Sequence, residues 1–540
     1  MKVAVRTALN RLRAVVTAPW TTNHRLGVWL IVASALVTVA VAFCGPSPVA
    51  LTLGPRPNLL PPWYLPVGSV TLGEWVAVPA LWTGLFLGAT GMYVCWRAVN
   101  RGWRPDNRRL FLLGSGLSVV TALVPPLTSA DVLMYAAYGR LQVLGLNPYD
   151  ITPAEIFRSE YDPVLIWTER PWQDTPSVYG PLASASQWLA AWLGNDNMHN
   201  TVFWLQMFAL LPFLLIGTLV VKLAHDDHKT QTRAVLFTVL NPIMIWSVLA
   251  GAHNEALTLV FAIVGLWFIR RSPFVAGLGI GLAGTVKVSL VFYGIAMAWG
   301  YRRDWRKLAQ LCLGAAIPLA IAYGLWVPGA LLAASRNTGY ISAGSWAPWL
   351  QWPLGLVIGD PAARGFIGWA GWIAMAVVAW MLSRVLPWRL VPGNPGDDEP
   401  TRDPLTITVR TAAILTAAWL VTSPYTLSWY DLTTWVPLGL MAASRLDLLM
   451  IWRGVWLSVA YVTGRSLELS QVEGLPLQFS PEMRAVSGFV RDGLCSGAQV
   501  LVLVVIVHWW WTWGRELPRL PAWLRRRRAR PVAGATSLGT

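Results

Sequence analysis

Long apolar runs recur along this chain from its first fifty residues to its last fifty. Four of them, Gly27–Cys44, Val76–Trp96, Val202–Val221 and Ser496–Trp513, are each close to the ~20 residues that a helix needs to cross the hydrocarbon of a bilayer. Of the 540 residues, 55% are hydrophobic and only 13% are charged, which lies outside the range of soluble globular domains. Dividing the whole chain in this way predicts roughly 11 to 14 membrane segments. We therefore expect an all-α, polytopic integral membrane protein.

The net charge is +16, but the basic residues stand in short clusters between apolar runs. A nucleic-acid-binding protein would gather them on one polar face, so we expect no nucleic-acid partner. The positive-inside rule instead predicts that each cluster is cytoplasmic. Both termini are then inside, and the stretches predicted outside are roughly 46–74, 129–198, 330–363 and 464–492.

Orientation and composition together predict five parts. They are a cytoplasmic N-terminus (1–26), a transmembrane region with the outer loop 129–198 (27–386), a cytoplasmic linker rich in Pro, Gly and Asp (387–410), a second transmembrane region (411–514) and a basic cytoplasmic tail (515–540).

Asp131 follows an apolar run at the start of the largest predicted outer stretch. Sugar transfer from a phosphodiester needs one general base for the acceptor hydroxyl, because the phosphate leaves without a strong acid. One carboxylate suffices for this reaction, whereas hydrolytic glycosidases use two. Asp131 stands where such a base would meet a lipid donor at the membrane surface. The alternative is structural, because Ser129 and Asp131 are both good caps for a helix running through Arg140.

A polar island, Leu249–Ala256, separates two apolar runs and contains His253, Asn254 and Glu255. Ionisable residues at membrane depth are expensive to bury and are usually functional. A hydrophilic turn at the outer surface explains the same residues, because turns also collect glycine, asparagine and charge. His253 as a metal ligand is the weakest hypothesis, since the sequence shows no matching set of histidines and carboxylates. We expect no metal and no other cofactor.

Lys287 stands alone between Arg271 and Arg302, which are both predicted to be cytoplasmic. The roughly 30 residues between them allow one crossing or a tight hairpin of short helices, and the hairpin keeps both ends inside. Snorkelling would have to carry the amine across about half of the membrane. A leaving phosphate whose charge the lysine neutralises explains this position. An ion pair with a buried carboxylate such as Glu255 or Asp431 is the alternative.

Two segments place aromatic residues beside polar groups at the predicted outer surface. One contains Trp172, Asp174 and Tyr179, and the other is Ser423–Asp431, with Tyr425. Aromatic faces cover the C–H side of a sugar ring, while carboxylates and amides bind its hydroxyl groups. Composition alone equally indicates an interfacial aromatic belt, because many of the 34 tryptophans flank apolar runs.

Taken in order and spacing, these motifs resemble one family. The segments that carry the likeness are Ser129–Arg140, Gly145–Tyr149, Tyr179–Leu182, Asn241–Pro242, Gly251–Glu255, Lys287–Val288 and Ser423–Tyr425. Each is weak alone, but the combination is specific and covers most of the chain from about 110 to 431. The chain resembles the actinobacterial polyprenyl-phosphomannose-dependent α-1,6-mannosyltransferases of the MptA/MptB type.

The resemblance implies the membrane glycosyltransferase fold called GT-C, in the plasma membrane, with an extracytoplasmic active site. It implies polyprenyl-phosphate mannose as the donor and a lipid-linked mannan acceptor, the α-1,6 backbone of lipomannan and lipoarabinomannan. Asp131 then takes the role of the family's catalytic acidic residue. Because the donor is β-linked and the product α-linked, the resemblance also implies inversion by a single displacement.

Charge and placement add further expectations about the remaining candidate residues. We expect donor-phosphate binding by Lys287, Arg140 and His253. We expect acceptor or sugar binding by Glu255, Asn254, Asp174, Trp172, Tyr179 and Tyr425.

Two other functions remain open at this point. A secondary transporter or lipid flippase would also bury ionisable residues, but transporters usually show internal repeats and bind near the midplane. Here the polar and aromatic residues gather on one predicted side. Within the enzymes, a transferase of arabinose or of a different mannosyl linkage is the second alternative, because a few hydroxyl contacts distinguish the sugars.

Overall fold

A computed structural model describes residues 18–66, 69–70, 72–127, 129–169, 172–225, 227–327, 329–333, 339–388, 401–463 and 479–516. Within these ranges the fold is helical, and an isolated antiparallel bridge joins Ala50 to Leu127. The predicted all-α fold class is therefore confirmed. Outside the described residues lie most of the predicted N-terminus (1–17), the middle of the predicted linker (389–400), part of the fourth outer stretch (464–478) and the predicted tail beyond 516.

Three helices precede the first large connection: α1 (His24–Phe43), α2 (Glu74–Asn100) and α3 (Asn107–Thr121). A 3₁₀ turn, Pro19–Thr22, leads into α1. Asn23 caps α1 and Asp106 caps α3, because each side chain accepts a backbone N–H of the first turn. α1 packs along α2.

The predicted outer stretch 129–198 folds into helices and short turns. It contains α4 (Asp131–Val143), α5 (Pro153–Phe157) and α6 (Pro181–Gly194), with 3₁₀ turns at Leu165–Trp167 and Trp172–Asp174. α4 packs against α6, and its residues from Val132 to Leu141 are all buried. The start of α4 is thus held rigidly by its surroundings.

The next part of the chain brings the polar island into the interior. It consists of α7 (Met198–Leu223), α8 (His228–Phe237), α9 (Pro242–Met244), a π-helical turn (Ile245–Leu249) and α10 (Glu255–Phe268). Ala252, shortly before α10, has φ of 51°, a left-handed conformation that is uncommon outside glycine.

Short helices surround Lys287. They are α11 (Pro273–Val286), a 3₁₀ turn (Val288–Leu290), α12 (Val291–Gly300), α13 (Trp305–Leu319), a π-helical turn (Ala320–Trp326) and α14 (Gly329–Ala333). Lys287 itself is extended and ends α11. The Tyr301 hydroxyl, just after α12, donates to the Ile269 carbonyl, just before α11, so the two short helices form the predicted hairpin. α11 lies against α13 so closely that a side chain at Gly277 would clash with the backbone oxygen of Leu311, a packing typical of membrane helices.

The remaining helices are α15 (Pro348–Ile358), α16 (Asp360–Val385), α17 (Pro404–Thr422), α18 (Leu432–Leu440), α19 (Arg445–Val462), α20 (Pro481–Gly488) and α21 (Ser496–Glu516). A 3₁₀ turn, Ser428–Asp431, precedes α18, and a π-helical turn, Phe489–Cys495, precedes α21. α17 begins inside the predicted linker 387–410, because Asp403 accepts the Thr406 backbone N–H and caps it.

Eight helical segments of the described chain are long and apolar enough to cross a membrane, and three shorter apolar helices accompany them. The four runs singled out in the sequence coincide with α1, α2, α7 and α21. Within the segment His228–Leu249, residues 232–249 are all buried, whereas α16 leaves large side chains such as Trp369 and Ile373 exposed. The chain thus has the features of a polytopic membrane protein, with α16 on a lipid-exposed flank.

Candidate active site

A cavity of about 410 Å³ opens between the starts of α4 and α6, the break at Lys287, α16 and the segment joining α17 to α18. The charged side chains that line it are Asp131, Lys287 and Arg364. The aromatic ones are Tyr138, Trp172, Tyr179, Tyr323, Tyr340, Trp372, Trp419, Tyr425, Trp429 and Tyr430. A pocket with a few convergent charges among many rings is the usual form of a small-molecule site.

The Tyr179-Gly180-Pro181 motif fits α6 against the end of α11. The Gly180 N–H donates to the Val286 carbonyl (3.2 Å), and any side chain at Gly180 would clash with the Thr285 backbone oxygen. Pro181 is the first residue of α6, a position where its missing N–H costs nothing. Tyr179 is thereby held in the wall of the cavity, next to Lys287.

Asp131 is the first residue of α4 and lies in the cavity wall with 24% of its side chain exposed. The capping explanation is wrong, because the N-cap residue is Ala130 and the Asp131 N–H itself donates to Ser129 Oγ (3.2 Å). Burial, followed by the nearby Glu255 carboxylate, raises the pKa of Asp131 to about 6, although Lys287 and Ser129 act in the opposite direction. A carboxylate with a pKa in this range is suited to accept a proton near neutral pH.

Lys287 makes two contacts around the cavity. Its ammonium forms an ion pair with Glu255, the first residue of α10, and lies 4.2 Å above the centre of the Tyr430 ring. The alternative of a buried ion pair is confirmed for Glu255, whereas Asp431 pairs elsewhere. The lysine side chain keeps 21% of its surface exposed, while Glu255 keeps 4%. The cation therefore remains accessible from the cavity although its carboxylate partner is buried.

His253 lies behind Asp131 and is completely buried. Its ring stacks on Trp429 with 3.5 Å between centroids, and its Nδ1 is 3.5 Å from Asp131 Oδ2. Burial, with Lys287 as a second cause, holds the pKa of His253 well below its usual range. The ring is thus neutral, which suits support of Asp131 and Trp429 better than binding of an anion.

Asn254 and Glu255 are also buried, at 9% and 4% exposure. The hydrophilic surface turn is therefore the wrong explanation for the polar island. Neither amide atom of Asn254 has a hydrogen-bond partner among the described residues. It faces a small internal gap next to Gln187 rather than the cavity.

Aromatic rings from distant parts of the chain form a continuous wall. Tyr340 lies between Trp172 and Tyr425, with ring centroids 6.0 Å and 6.3 Å away. The Tyr179 ring makes an edge-to-face contact with the Tyr135 ring, with 5.0 Å between their centroids. Three rings predicted from the sequence, Trp172, Tyr179 and Tyr425, thus line the same cavity as Asp131 and Lys287.

An arginine of α19 holds the segment between α17 and α18 in place. Arg453 binds Asp431 through Nε (3.0 Å), Thr426 through Nη2 (2.7 Å) and Gln499 through Nη1 (3.0 Å), and it is 1% exposed. Thr426 and Asp431 bracket the residues that carry Trp429 and Tyr430 into the cavity wall. We call this arrangement the Arg453 clamp.

Like His253, Asn254 and Glu255, two further predicted site residues do not line the cavity. Arg140 is buried and pairs with Asp162 (Nε to Oδ2, 2.8 Å) and with Asp196, so it ties α4 to the connection that follows. Asp174 is half-exposed, and its Oδ1 is 2.8 Å from Arg158 Nη1. In these ion pairs, the side chains of Arg140 and Asp174 are directed away from the groups that surround Asp131.

Sequence reasoning missed Arg364, Tyr340 and Trp419 in the cavity wall, and Arg453 behind it. For two of these residues, Arg364 and Arg453, the sequence itself contains a signal that could have identified them. Arg364 closely follows a stretch predicted to be outside, where the positive-inside rule disfavours arginine. Arg453 interrupts an apolar run, and a charge at membrane depth requires a partner.

Comparison with known proteins identifies relatives of one kind. Residues 31–303, just over half of the chain, match the model of the MptA/B family, described as alpha-(1->6)-mannopyranosyltransferase, N-terminal domain. A probable alpha-(1->6)-mannopyranosyltransferase of Mycolicibacterium smegmatis is 29% identical over 273 residues, which are 50% of this chain and 46% of that protein. Alpha-(1->6)-mannopyranosyltransferase A of Mycobacterium tuberculosis is 26% identical over 276 residues, 48% of this chain and 50% of the relative.

The matched region spans about half the length of these curated relatives. No solved structure matches the chain. Asp131, Glu255 and Lys287 fall inside the range matched by the family model, whereas Tyr425 and the Arg453 clamp follow it. Since the family model covers more than half of the sequence, the chain belongs to the MptA/B family.

Proposed function

We propose that the protein transfers mannose from polyprenyl-phosphate mannose to a hydroxyl of a lipid-linked mannan acceptor, forming an α-1,6 linkage on the outer face of the plasma membrane. Membership of the MptA/B family and the names of the relatives support mannosyl transfer. The observation that carries the proposal is the cavity itself. It combines Asp131, whose pKa is about 6, with the Lys287 ammonium and a wall of aromatic rings.

The proposed reaction is a single displacement at the anomeric carbon. The acceptor oxygen attacks that carbon while Asp131 takes the hydroxyl proton, and the bond from the carbon to the phosphate oxygen breaks. The polyprenyl phosphate departs with one additional negative charge, which Lys287 stabilises. Glu255 holds the lysine in position from the buried side. Attack opposite to the leaving group converts a β-linked donor into an α-linked product.

The walls of the cavity suit the two substrates. Trp172, Tyr340 and Tyr425 offer ring faces for a sugar. Gly368 and Met375 of α16 line the cavity where this helix adjoins the lipid-exposed flank. A donor anchored in the bilayer would therefore enter the cavity past α16 without leaving the membrane.

Donor choice and product stereochemistry test this proposal. Purified protein is incubated with an α-1,6-linked mannoside and either polyprenyl-phosphate mannose or GDP-mannose, and the product linkage is read by NMR. We expect transfer from the lipid donor alone and an α-1,6 product. Equal transfer from the nucleotide sugar, or a β-linked product, would contradict the proposal.

The rate should depend on pH through Asp131. Only the ionised carboxylate accepts a proton, and its pKa is raised to about 6, so the protonated, inactive form accumulates as pH falls below that value. We expect kcat/KM to be level near pH 8 and to fall about tenfold per pH unit well below 6. A pH profile of the initial rates provides the measurement. A fall centred near the ordinary carboxyl value of about 4 would show that this residue is not the base.

The Arg453 clamp should matter for activity beyond its contribution to stability. Arg453→Met leaves Asp431 buried without its partner, which typically costs about 3–5 kcal/mol. Because the freed segment carries Trp429 and Tyr430, we also expect kcat/KM to fall about 10- to 100-fold. Melting temperature and initial rates at a temperature where the variant is folded are the two measurements.

A matched control for this variant is Arg233→Met. Arg233 is 1% exposed and pairs with Asp447 (3.0 Å), but neither residue lines the cavity. This variant should lose stability as Arg453→Met does and keep its kcat/KM. Equal losses of activity in the two variants would show that the Arg453 clamp has only a structural role.

A further inference from the structure

A second concave surface lies beside the cavity, where α15 meets α16 and the π-helical turn before α21. It is a shallow depression of about 590 Å³ lined by Pro348, Trp349, Gln351, Trp352, Asp360 and Asp492. We infer that this depression binds internal sugar units of the acceptor chain while the end of that chain occupies the cavity. The inference rests on the proposed function, because it takes the acceptor to be a polymer of neutral sugars.

The indole rings of Trp349 and Trp352 are exposed rather than buried. Trp349 donates its indole N–H to the backbone oxygens of Asp492 (3.0 Å) and Gly493 (3.2 Å), and its ring edge packs so closely on Gly497 that an added Cβ would lie 2.8 Å away. The ring is therefore fixed in place, yet 54% of the residue is exposed. Trp352, one turn further along α15, is 75% exposed. α15 buries none of its side chains, so these rings do not serve the protein core.

The polar groups between the rings match a hydroxyl-rich, uncharged ligand. Gln351 Nε2 donates to both oxygens of Asp360 (3.3 and 3.4 Å), and Asp492 also lines the depression. Among the described residues that line the depression, none is a lysine or an arginine. Carboxylates, an amide and ring faces together suit the hydroxyl groups and C–H faces of sugars. An interfacial aromatic belt accounts for the tryptophans but not for the carboxylates and the amide that line the depression with them.

Two short connections join the depression to the cavity. Arg364 lines the cavity and pairs with Asp360 of the depression (3.4 Å), one turn away on α16. Tyr340 also lines the cavity, and α15 begins eight residues later at Pro348. Between them, Ser342 is hydrogen-bonded to the segment that carries Tyr425, through Pro424 O (3.1 Å) and Thr426 O (2.8 Å). A chain of linked sugars that leaves the cavity past Arg364 therefore meets the depression next.

Dependence on acceptor length tests the inference. Initial rates are measured for wild type, Trp352→Ala and Asp492→Asn with an α-1,6-linked mannose disaccharide and with the corresponding hexasaccharide. Both residues are exposed, so both variants should fold, which a thermal melt checks. We expect KM for the hexasaccharide to rise roughly tenfold, as for the loss of one aromatic contact, with KM for the disaccharide unchanged. Trp369→Ala is the matched control, because Trp369 is 76% exposed on α16 and lines neither site.

Two results would overturn the inference. One is an equal change of KM for both acceptors. The other is a hexasaccharide KM that responds to Trp369→Ala as strongly as to Trp352→Ala, which would assign all of these rings to membrane anchoring.

Direct binding separates this inference from the proposed function. The hexasaccharide is titrated into Asp131→Asn protein by calorimetry, with and without Trp352→Ala. Weaker binding after Trp352→Ala supports the depression as a sugar site even if wild type transfers no mannose. Unchanged binding together with normal transfer by wild type rejects the depression and leaves the proposed function intact.

Discussion

Asp131→Asn is expected to abolish most mannosyl transfer, with kcat reduced about 10²- to 10⁴-fold, the usual contribution of a general base. Asparagine keeps the size of the side chain and cannot take the proton of the acceptor hydroxyl. The substitution also removes a carboxylate whose pKa is raised by burial and by Glu255, so it relieves an unfavourable charge. The variant should therefore fold at least as well as wild type, and substrate binding should change much less than kcat.

Initial rates with saturating donor and acceptor, together with a thermal melt, measure this effect. Asp174→Asn is the matched control. Asp174 belongs to the same stretch, 129–198, but its side chain pairs with Arg158 at the surface. That variant should transfer mannose at a rate close to wild type. If Asp131→Asn remained active and Asp174→Asn did not, the base would have to be sought outside the cavity.

Lys287→Met should produce the second largest loss, about 10²- to 10³-fold in kcat/KM, as for other groups that stabilise developing negative charge. Methionine preserves the length and apolar stem of the side chain but removes the ammonium that lies over Tyr430. Lys287→Arg should retain part of the activity, because it keeps the charge at a slightly different position. Rates with polyprenyl-phosphate mannose measure both variants.

A double variant distinguishes phosphate binding from simple neutralisation of Glu255. If the lysine only balances the buried carboxylate, Lys287→Met combined with Glu255→Gln removes both charges and restores activity. If the lysine stabilises the leaving phosphate, the double variant stays as inactive as Lys287→Met, although its stability recovers. We expect the second result, because Lys287 keeps access to the cavity while Glu255 does not.

Sequence reasoning located best the residues whose charge is costly to bury in a membrane. Lys287 and Glu255 stand out because isolated charges in apolar runs are costly, and the structure brings them together across 32 residues of sequence. Asp131 was identifiable as a candidate site residue from its place at the start of the largest predicted outer stretch. The helix break at Lys287 followed from counting residues between two basic clusters.

Arg140 illustrates what such reasoning leaves undetermined. Its charge and position close to Asp131 suggested a phosphate ligand, but its side chain points toward Asp162 and Asp196, which follow it by 22 and 56 residues. Nothing in the spacing of these three residues predicts that they meet. The destination of a long, flexible side chain depends on tertiary packing, which hydropathy and motif order do not describe.

The aromatic wall was predictable only in part, for a similar reason. Tyr340 joins Trp172 to Tyr425, but its own sequence neighbourhood contains no motif. In the same way, Thr426 and Asp431 become recognisable as ligands of Arg453 only when α19 and the preceding segment are seen in contact. Features assembled from segments far apart in the chain require the fold, whereas isolated charges are visible in the sequence.

The most direct measurement of the central claim is the stoichiometry of transfer by the purified wild-type protein. Polyprenyl-phosphate mannose labelled in the sugar is supplied with an α-1,6-linked disaccharide, and labelled trisaccharide and free polyprenyl phosphate are quantified together. We predict equal amounts of the two products, with all of the label released by an α-1,6-specific mannosidase. Absence of labelled trisaccharide, together with movement of a lipid or sugar across liposomes containing the protein, would contradict the account and identify a transporter instead.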